Sequence, residues 1–392
     1  MRKLFIAAFM FVSIFGTKVM ADIKMGIILG FTGPIESLTP GMRDSAKMAF
    51  DEASNSGAFL GGKKITIELG DSTCTDAAAA QAAAEKMISD GVAAIMGADC
   101  SGVTGAIAEK VAVPNGVVMI SPSATSPALS TEPDNDLFFR TAPSDARQGE
   151  VIADLLMEKG FKSAALTHTN NDYGKGLAAS IKKNYEAKGG KITITASHED
   201  GKGDYSSEVA ALAQASGDIL IVAGYLDQGG KGIIQASLDA DAFNKFFLPD
   251  GMIGDSLPKA IGPALNGSIG SVPGTDSPGN AKYAELAKAA GFESGPYGPE
   301  SYDAAALIIL AMQAANSTDS NVFKNNIMDI ANAPGEKIFP GELGKAIKLI
   351  KEGKDIDYVG ATALELVGSG ESAGSFAEIL IDNQKTNKVG YR

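Results

Sequence analysis

Residues 92–121 spell VAAIMGADCSGVTGAIAEKVAVPNGVVMIS. Two short apolar runs, Val92–Gly97 and Val117–Ser121, are typical of buried strands, and the residues near Gly102–Val113 between them are typical of a helix. A strand, a helix and a second strand in this order predict a right-handed parallel unit, with the helix packed on one face of the sheet. The segment therefore indicates an α/β fold.

The same alternation extends toward the amino terminus. Apolar runs at Met25–Phe31 and Lys64–Leu69 predict strands, and Gly41–Ser56 predicts a helix with its apolar side chains on one face. The alanine-rich stretch Thr75–Asp90 predicts another helix, which Gly91 ends. Together with residues 92–121, these elements predict one parallel-sheet lobe.

A second series of strands and helices follows. Its predicted strands are Ala164–His168, Lys191–Ala196, Asp218–Ala223 and Lys245–Leu248, and its predicted helices lie at about Gln148–Lys159, Gly174–Lys188 and Ser206–Gln214. Two successive series predict two parallel-sheet lobes with helices on both faces of each sheet. After Asp250 we interpret Gly267–Pro278 as a loop. We expect helices at about Ala281–Ala290, Tyr302–Asn316 and Asn321–Asn332, and a strand at Phe376–Ile381.

The first residues have the composition of a secretory signal peptide. Arg2 and Lys3 give a positive start, and the apolar run Leu4–Phe15 is too short to cross a bilayer, which takes about 20 residues. Val19 and Ala21 supply small residues for a cleavage site. We therefore expect residues 1–21 to be removed and the mature chain to lie in the periplasm without inserting into a membrane. The alternative is an N-terminal anchor or a buried helix.

The charge argues against some partners. The chain has a net charge of −13, and loss of Arg2, Lys3 and Lys18 with the signal peptide would make it −16. A protein this acidic is repelled by nucleic acid and by anionic membrane surfaces. We therefore expect no nucleic-acid partner.

Two cysteines, Cys74 and Cys100, are present. An even number in an exported chain predicts one disulfide, which for a loop of this length would stabilise the fold by roughly 3–4 kcal/mol. Two free buried thiols are the alternative. We expect no metal site, because the histidines, His168 and His198, lie far from both cysteines in sequence.

One motif invites a catalytic interpretation. Gly370–Gly374 (GESAG) matches the G-x-S-x-G elbow of hydrolases, which needs an aspartate and a histidine later in the chain. No histidine follows Ser372, so we interpret the motif as a turn. We expect His168 and His198 to be structural or surface residues, and we expect neither catalytic residues nor a cofactor. The alternative is that the motif is catalytic and that the chain is a periplasmic hydrolase.

Polar side chains follow several of the predicted strands, at the point where each strand ends. In open α/β sheets, ligands bind at this edge. The candidate ligand-binding residues are Ser101, Ser123, Thr125, Tyr173, Tyr225 and Asp250. Ser101 alone equally fits a plain helix N-cap, and Pro249-Asp250-Gly251 alone fits an ordinary turn.

In their order along the chain, these segments resemble the periplasmic leucine/isoleucine/valine-binding protein family of ABC importers. The matching stretches are LGFTGP (29–34), CSGVT (100–104), ISPSATSPAL (120–129), FFRTAPSDARQG (138–149), NDYGKGLA (171–178), GDYSSEVAAL (203–212), AGY (223–225) and LPDG (248–251). The resemblance implies the type I periplasmic binding protein fold, in which two doubly wound parallel-sheet lobes are joined by a three-strand hinge. It implies a first lobe of 22–142 plus 255–374 and a second lobe of 143–254 plus 375–392.

The resemblance also implies roles for first-lobe residues. Ser101 matches the position whose hydroxyl and N–H hold the ligand carboxylate. Ser123 and Thr125 match the loop that contacts the α-ammonium and carboxylate groups. Cys74 and Cys100 match the disulfide of the family.

In the second lobe, Tyr173 and Tyr225 match the aromatic side of the family's site, and Asp250 matches an acidic residue that pairs with the ammonium. Two stretches depart from the family pattern. Glu36-Ser37-Leu38-Thr39 lacks the aromatic residue often found there, and Leu226-Asp227 stands where many relatives carry His-Pro. Because both stretches could line the side-chain pocket, the resemblance leaves the ligand side chain open.

The sequence therefore predicts a non-enzymatic, monomeric solute-binding protein of an ABC importer. It would capture an amino acid, branched-chain or otherwise aliphatic, by lobe closure and deliver it to a membrane permease. Two alternatives keep the same fold. One is binding of an amide, a urea-like compound or another small polar solute, and the other is a ligand-sensing subunit.

Overall fold

The computed structural model describes residues 22–392, so the predicted signal peptide lies outside the described residues. The strands, in chain order, are β1 (Ile23–Leu29), β2 (Ile65–Asp71), β3 (Ile95–Gly97), β4 (Met119–Ser121), β5 (Phe138–Pro143), β6 (Ser163–Thr169), β7 (Lys191–His198), β8 (Ile219–Ala223), β9 (Phe246–Leu248), β10 (Ile269–Pro273), β11 (Glu336–Ile338), β12 (Ile356–Tyr358), β13 (Leu366–Val367), β14 (Glu371–Ser372), β15 (Phe376–Asp382) and β16 (Lys385–Tyr391).

Helices alternate with these strands along most of the chain. They are α1 (Thr39–Asn55), α2 (Ala77–Ser89), α3 (Ser101–Ile107), α4 (Asp145–Glu158), α5 (Asp172–Ala187), α6 (Ser206–Ala215), α7 (Gly229–Asp239), α8 (Ser256–Ile261), α9 (Pro278–Ala289), α10 (Gly298–Ala315), α11 (Ser320–Phe323), α12 (Ile327–Ala331) and α13 (Leu343–Lys351). A π-helical turn, Ala108–Ala112, continues α3.

Two sheets of the same design form the two lobes. The first has the order β13-β14-β5-β4-β3-β1-β2, and the second has the order β16-β15-β10-β9-β8-β6-β7. In each sheet the five strands that come first in the chain are parallel. The strand order reverses beside β1 in one sheet and beside β6 in the other, and such a reversal opens a crevice at the carboxyl edge of a sheet.

Burial explains why these segments form central strands. All five residues of β8 (ILIVA) are buried, as are all six of β5, because helices cover both faces of a parallel sheet. Helix α10 is buried along nearly its whole length and packs against α1. Most of the apolar surface of each sheet is thus covered by helices, and the carboxyl ends of the strands of the two lobes face each other.

The chain passes between the two sheets three times, after β5, after β10 and after β14. The prediction of two doubly wound parallel-sheet lobes with three crossings is confirmed. The predicted boundary at residues 254/255 is wrong, because β10, which was assigned to the first lobe, pairs with β9 and β15 of the second sheet. The chain returns to the first lobe only after Pro273.

The same strand corrects the interpretation of Gly267–Pro278 as a loop. Its glycine, proline and serine content suggested irregular structure, yet Ile269–Pro273 is fully buried. Gly270 is required by packing, since a Cβ at this position would lie 2.3 Å from the carbonyl oxygen of Leu248. The small residues that suggested a loop are therefore present because two strand backbones approach each other closely here.

Within residues 22–392, no helix combines the length and the apolar character that crossing a bilayer would take.

Candidate functional site

Ser101 and Thr125 lie together at the carboxyl edge of the first sheet. The N-cap of α3 is Cys100, and Ser101 is the first helical residue. Its Oγ accepts hydrogen bonds from the backbone N–H groups of Thr125 (3.2 Å) and Ser126 (3.0 Å). Ser123 Oγ donates to the carbonyl of Asp99 at 3.0 Å. The segments after β3 and β4 are therefore tied together as one polar surface.

Arg140 supports this surface from behind. Its side chain is almost fully buried, and one guanidinium nitrogen donates to the carbonyls of Ala124 (3.1 Å) and Ser126 (2.8 Å). The other nitrogen donates to Ser130 Oγ and pairs with Glu371. Because a guanidinium is planar and presents its donors in a fixed fork, it holds both carbonyls at a defined spacing.

Asp99 fixes the segment between β3 and α3. The carboxylate accepts hydrogen bonds from Gly30 N (2.6 Å), Ser72 Oγ (2.8 Å) and Cys100 N (3.0 Å). Next to it, Cys74 and Cys100 form a disulfide. The predicted disulfide is therefore present, and the alternative of two free thiols is wrong.

Second-lobe residues face this surface. The rings of Tyr173 and Tyr225 are stacked, with centroids 5.2 Å apart and planes inclined by 16°. Tyr173 Oη donates to Asp250 Oδ1 at 2.8 Å and accepts from Gly251 N at 3.1 Å. Asn171 Nδ2 donates to Tyr225 Oη at 3.4 Å. Three separate loops, after β6, β8 and β9, thus converge on one point.

Tyr297 belongs to the site, and sequence reasoning missed it. Its hydroxyl donates to Asp250 Oδ2, so this carboxylate is held by two tyrosines from different parts of the chain. Tyr297 immediately precedes α10 and has the left-handed φ of +61°. It lies in GPYGP, far from any strand end, and the only available signal was an aromatic side chain set among residues that favour turns.

A narrow cavity lies between the two lobes at this point. Its lining residues are Ile35, Leu38, Asp99, Cys100, Ser101, Ser123, Tyr173, Tyr225, Asp250, Gly251 and Tyr297. Five of the six predicted ligand-binding residues line this cavity, namely Ser101, Ser123, Tyr173, Tyr225 and Asp250. The sixth, Thr125, lies directly behind Ser101. The Oγ1 of Thr125 is buried and has no hydrogen-bond partner among the described residues.

The electrostatics of the site favour a cationic group. Burial raises the pKa of Asp250, although the hydrogen bonds from Tyr297 and Tyr173 oppose that change. The pKa of Asp145 is raised well above its ordinary value, first by burial and then by the charge of Asp250. Asp145 N donates to the carbonyl of Thr125 at 2.8 Å, and neither carboxylate oxygen of Asp145 has a partner among residues 22–392. A positive ligand group would relieve this concentration of negative charge.

The cavity therefore has a polar part and an apolar part. Hydroxyls, backbone N–H groups and a carboxylate are available for a zwitterion, whereas Ile35 and Leu38 offer aliphatic carbon. Sequence reasoning had noted Leu38 only as a departure from the family pattern, and it had not considered Ile35. A small solute with a charged head and an apolar tail fits this division.

The motifs that suggested catalysis do not form a catalytic site. Ser372 lies in β14, which leads to another strand, β15, where a nucleophile elbow leads to a helix. His198 is buried, its Nδ1 lies 2.8 Å from Thr167 Oγ1, and burial lowers its pKa to about 4. His168 Nδ1 contacts the carbonyl of Thr169. Within the described part of the chain, no cluster of three or more metal-ligating side chains is found.

Two lobes that meet at the carboxyl edges of their sheets, around a polar cavity, define a two-lobed binding protein. Two solved structures share this fold. A leucine binding protein from Thermotoga maritima has a TM-score of 0.80, with 20% identity over 94% of this chain and 98% of that chain. The substrate binding protein LivJ of a branched-chain amino acid transporter from Streptococcus pneumoniae, in complex with isoleucine, has a TM-score of 0.77, with 20% identity over 95% and 99%.

Sequence comparison is more specific. A family model described as "Periplasmic binding protein" matches residues 22–342. Leu/Ile/Val-binding protein homolog 1 of Brucella melitensis is 34% identical over 310 residues, which is 78% of this chain and 82% of that protein. The chain belongs to the periplasmic binding protein family, and its resemblance to the leucine/isoleucine/valine-binding members is confirmed.

Proposed function

We propose that the chain is the periplasmic solute-binding protein of an ABC importer and that it captures an amino acid with an aliphatic side chain. The observation that carries this proposal is the cavity between the lobes. The first lobe contributes the hydroxyls of Ser101 and Ser123, with Thr125 behind them, and the second lobe contributes Asp250, Tyr173 and Tyr225. These are the complementary groups that a carboxylate and an ammonium group require.

Each end of the zwitterion then has a defined partner. The ligand carboxylate is bound by Ser101 and by N–H groups around it, and the ammonium is bound by Asp250. Tyr173 and Tyr225 cover the ligand backbone, while Ile35 and Leu38 contact its side chain. The names of two relatives, a leucine binding protein and a Leu/Ile/Val-binding protein homolog, support an aliphatic side chain for this ligand.

Capture proceeds by closure of the lobes about the three crossings. A ligand that contacts both walls stabilises the closed form by its differential affinity for that form. The closed form then delivers the ligand to a membrane permease, and the chain acts as a monomer with no catalytic step. Residues 1–21 would direct export and be removed from the mature chain.

Thermal denaturation of residues 22–392 in the presence of single solutes tests this function. The panel contains the amino acids, their amides, urea-like compounds and other small polar solutes. A ligand at 100 times its Kd adds about 2.7 kcal/mol to the free energy of unfolding, which gives a clear rise in Tm. We expect leucine, isoleucine or valine to give the largest rise.

Two results would contradict the proposal. If no amino acid changes Tm while an amide or another solute does, the ligand class is wrong although the fold remains that of a binding protein. If a bound ester or amide is recovered hydrolysed after denaturation, a hydrolase is the correct assignment. A permease and ATPase encoded beside the gene would favour import, and a sensor kinase there would favour sensing.

A further inference from the structure

The loop after β1 reaches across the cleft and bonds to the second lobe. Asp227, two residues after Tyr225, donates its backbone N–H to the carbonyl of Pro34 at 3.0 Å. In the opposite direction, the backbone N–H of Ser37 donates to Asp227 Oδ2 at 3.0 Å. The loop of residues 33–38 is therefore held to the second lobe by bonds that involve both the main chain and the side chain of Asp227.

The second oxygen of the same carboxylate is also used. Ser256 Oγ, at the start of α8 in the second lobe, donates to Asp227 Oδ1 at 2.8 Å. Ser37 Oγ lies 3.0 Å from Ser256 Oγ. Because the Ser256 proton is directed to Asp227, the Ser37 hydroxyl is the donor in that pair. Asp227, Ser37 and Ser256 thus form a closed ring of hydrogen bonds that spans the two lobes.

The ring determines where the apolar wall of the cavity lies. Ile35 and Leu38 belong to the clasped loop, and both line the cavity. Beside them, the absence of a side chain at Gly254 lets Leu38 approach Leu226 of the second lobe, since a Cβ on Gly254 would lie 2.9 Å from Leu38 Cδ2 and 2.6 Å from Leu226 Cδ1. Release of the loop would therefore move the aliphatic surface that faces the ligand side chain.

Other roles for Asp227 fit the structure less well. Asp227 does not line the cavity, so it acts on a ligand only through the loop. It does not cap α7, which begins two residues later, because the N–H of Gly229 donates to Asp200 Oδ1. Both oxygens of its carboxylate are instead occupied by the ring.

We propose that Asp227 is a positioning residue that clasps the loop of residues 33–38 to the second lobe. The clasp has two effects: it favours the closed form, and it sets the wall that selects a larger aliphatic side chain over a small one. The second effect rests on the proposed function, whereas the first does not.

The first effect is tested on the ligand-free chain by amide hydrogen exchange. In Asp227→Ala, the Ser37 amide loses its acceptor, and we expect its exchange to be about five- to tenfold faster, in keeping with the loss of one hydrogen bond between partly exposed groups. The matched control is Asp239→Ala, which removes the same charge from the same lobe, since among residues 22–392 the Asp239 side chain accepts only from Gln235 in its own helix. Equal exchange of the Ser37 amide in wild type and Asp227→Ala would overturn the clasp.

The second effect is tested by comparing the Kd of leucine with that of alanine. We expect Asp227→Ala to weaken leucine binding about five- to tenfold, mainly through faster dissociation, and to weaken alanine binding less. Ser256→Ala keeps the bond from Ser37 N and should lie between wild type and Asp227→Ala. A merely structural role would weaken both ligands equally, and that result would overturn the selectivity claim. If wild type binds neither leucine nor alanine, the proposed function fails, while the exchange experiment still decides the clasp.

Discussion

At the scale of single residues, we expect the Asp250 carboxylate to strengthen ligand binding and to lower the stability of the ligand-free chain. Burial raises its pKa, which means that its charge is unfavourable in the folded chain, although two tyrosine hydroxyls donate to it. We expect Asp250→Asn to weaken amino-acid binding about 10- to 100-fold, since a hydrogen bond to a charged group contributes roughly 1.5–3 kcal/mol. The same substitution should raise the Tm of the ligand-free chain, because the amide carries no charge to desolvate.

Calorimetric titration and thermal denaturation of the same preparation check both parts of this prediction. Wild type with bound ligand removed is the reference. Unchanged affinity would show that Asp250 does not contact the ammonium. A fall in Tm without ligand would show that the tyrosine hydrogen bonds need the carboxylate.

Glu300 gives a prediction about pH. Burial raises its pKa to about 8 from an ordinary 4.5, and one of its carboxylate oxygens has no partner among the described residues. Between pH 4.5 and 8 the folded chain therefore holds a proton that the unfolded chain has lost, so stability falls as the pH rises through this range. Glu300→Gln removes this contribution, and its urea midpoint should fall less steeply than that of wild type.

The comparison requires the slope of the urea midpoint against pH, and not the midpoint at a single pH. Asp303, whose pKa is raised by burial to about 6, contributes to the slope of both proteins, and its charge also raises the pKa of Glu300, so the difference between the slopes reports this coupled pair. Parallel curves for wild type and Glu300→Gln would mean that Glu300 does not titrate in this range.

Sequence reasoning found most of the site because its residues follow strand ends. The positions of Ser101, Tyr173 and Tyr225 came from apolar runs that end in polar residues. Tyr297 was missed because no local pattern connects a turn between two helices with a strand end far away in sequence. The partners of Asp227 were missed for the same reason, since only lobe closure brings Ser37 to it.

At the scale of elements, the disulfide joins two connections of the first lobe. Cys74 lies just before α2 and Cys100 is the N-cap of α3, with a sequence separation of 26. In the loop-entropy model, Cys74→Ala with Cys100→Ala should lower the free energy of unfolding by about 3–4 kcal/mol. Urea denaturation measures this loss.

A reductant provides the control for this prediction. It should bring wild type to the stability of the doubly substituted chain and leave that chain unchanged. If reduction frees two thiols in the folded wild type without lowering its stability, the disulfide is not a stabilising element.

Helices and strands were predicted correctly where the hydrophobic pattern within the segment itself indicated them. Strand β8 is a continuous apolar run, so a parallel sheet covered on both faces could be inferred. The elements that were not predicted include helices α7, α8 and α13 and strands β5, β10 and β16. Strand β10 is built from small residues because the backbone of Leu248 approaches it, and that constraint is tertiary.

At the scale of the whole molecule, the three crossings allow one lobe to rotate against the other. The lobes touch through several small contacts, among them the approach of Ser126 and Pro127 to Gly176 of α5. We expect the ligand-free chain to sample a more open form, so that a saturating ligand lowers the radius of gyration measured by small-angle X-ray scattering. A radius of gyration that does not change, for a solute that raises Tm, would contradict closure.

The order of the strands also has a consequence for synthesis. The first sheet receives β13 and β14, and the second receives β15 and β16, from residues 366–391. A chain that emerges with its amino terminus first therefore leaves β5 and β10 as bare edges until residues 366–391 arrive. Exposed edges of this kind pair readily with other chains, so these residues both complete the two sheets and end the period in which the edges are prone to aggregation.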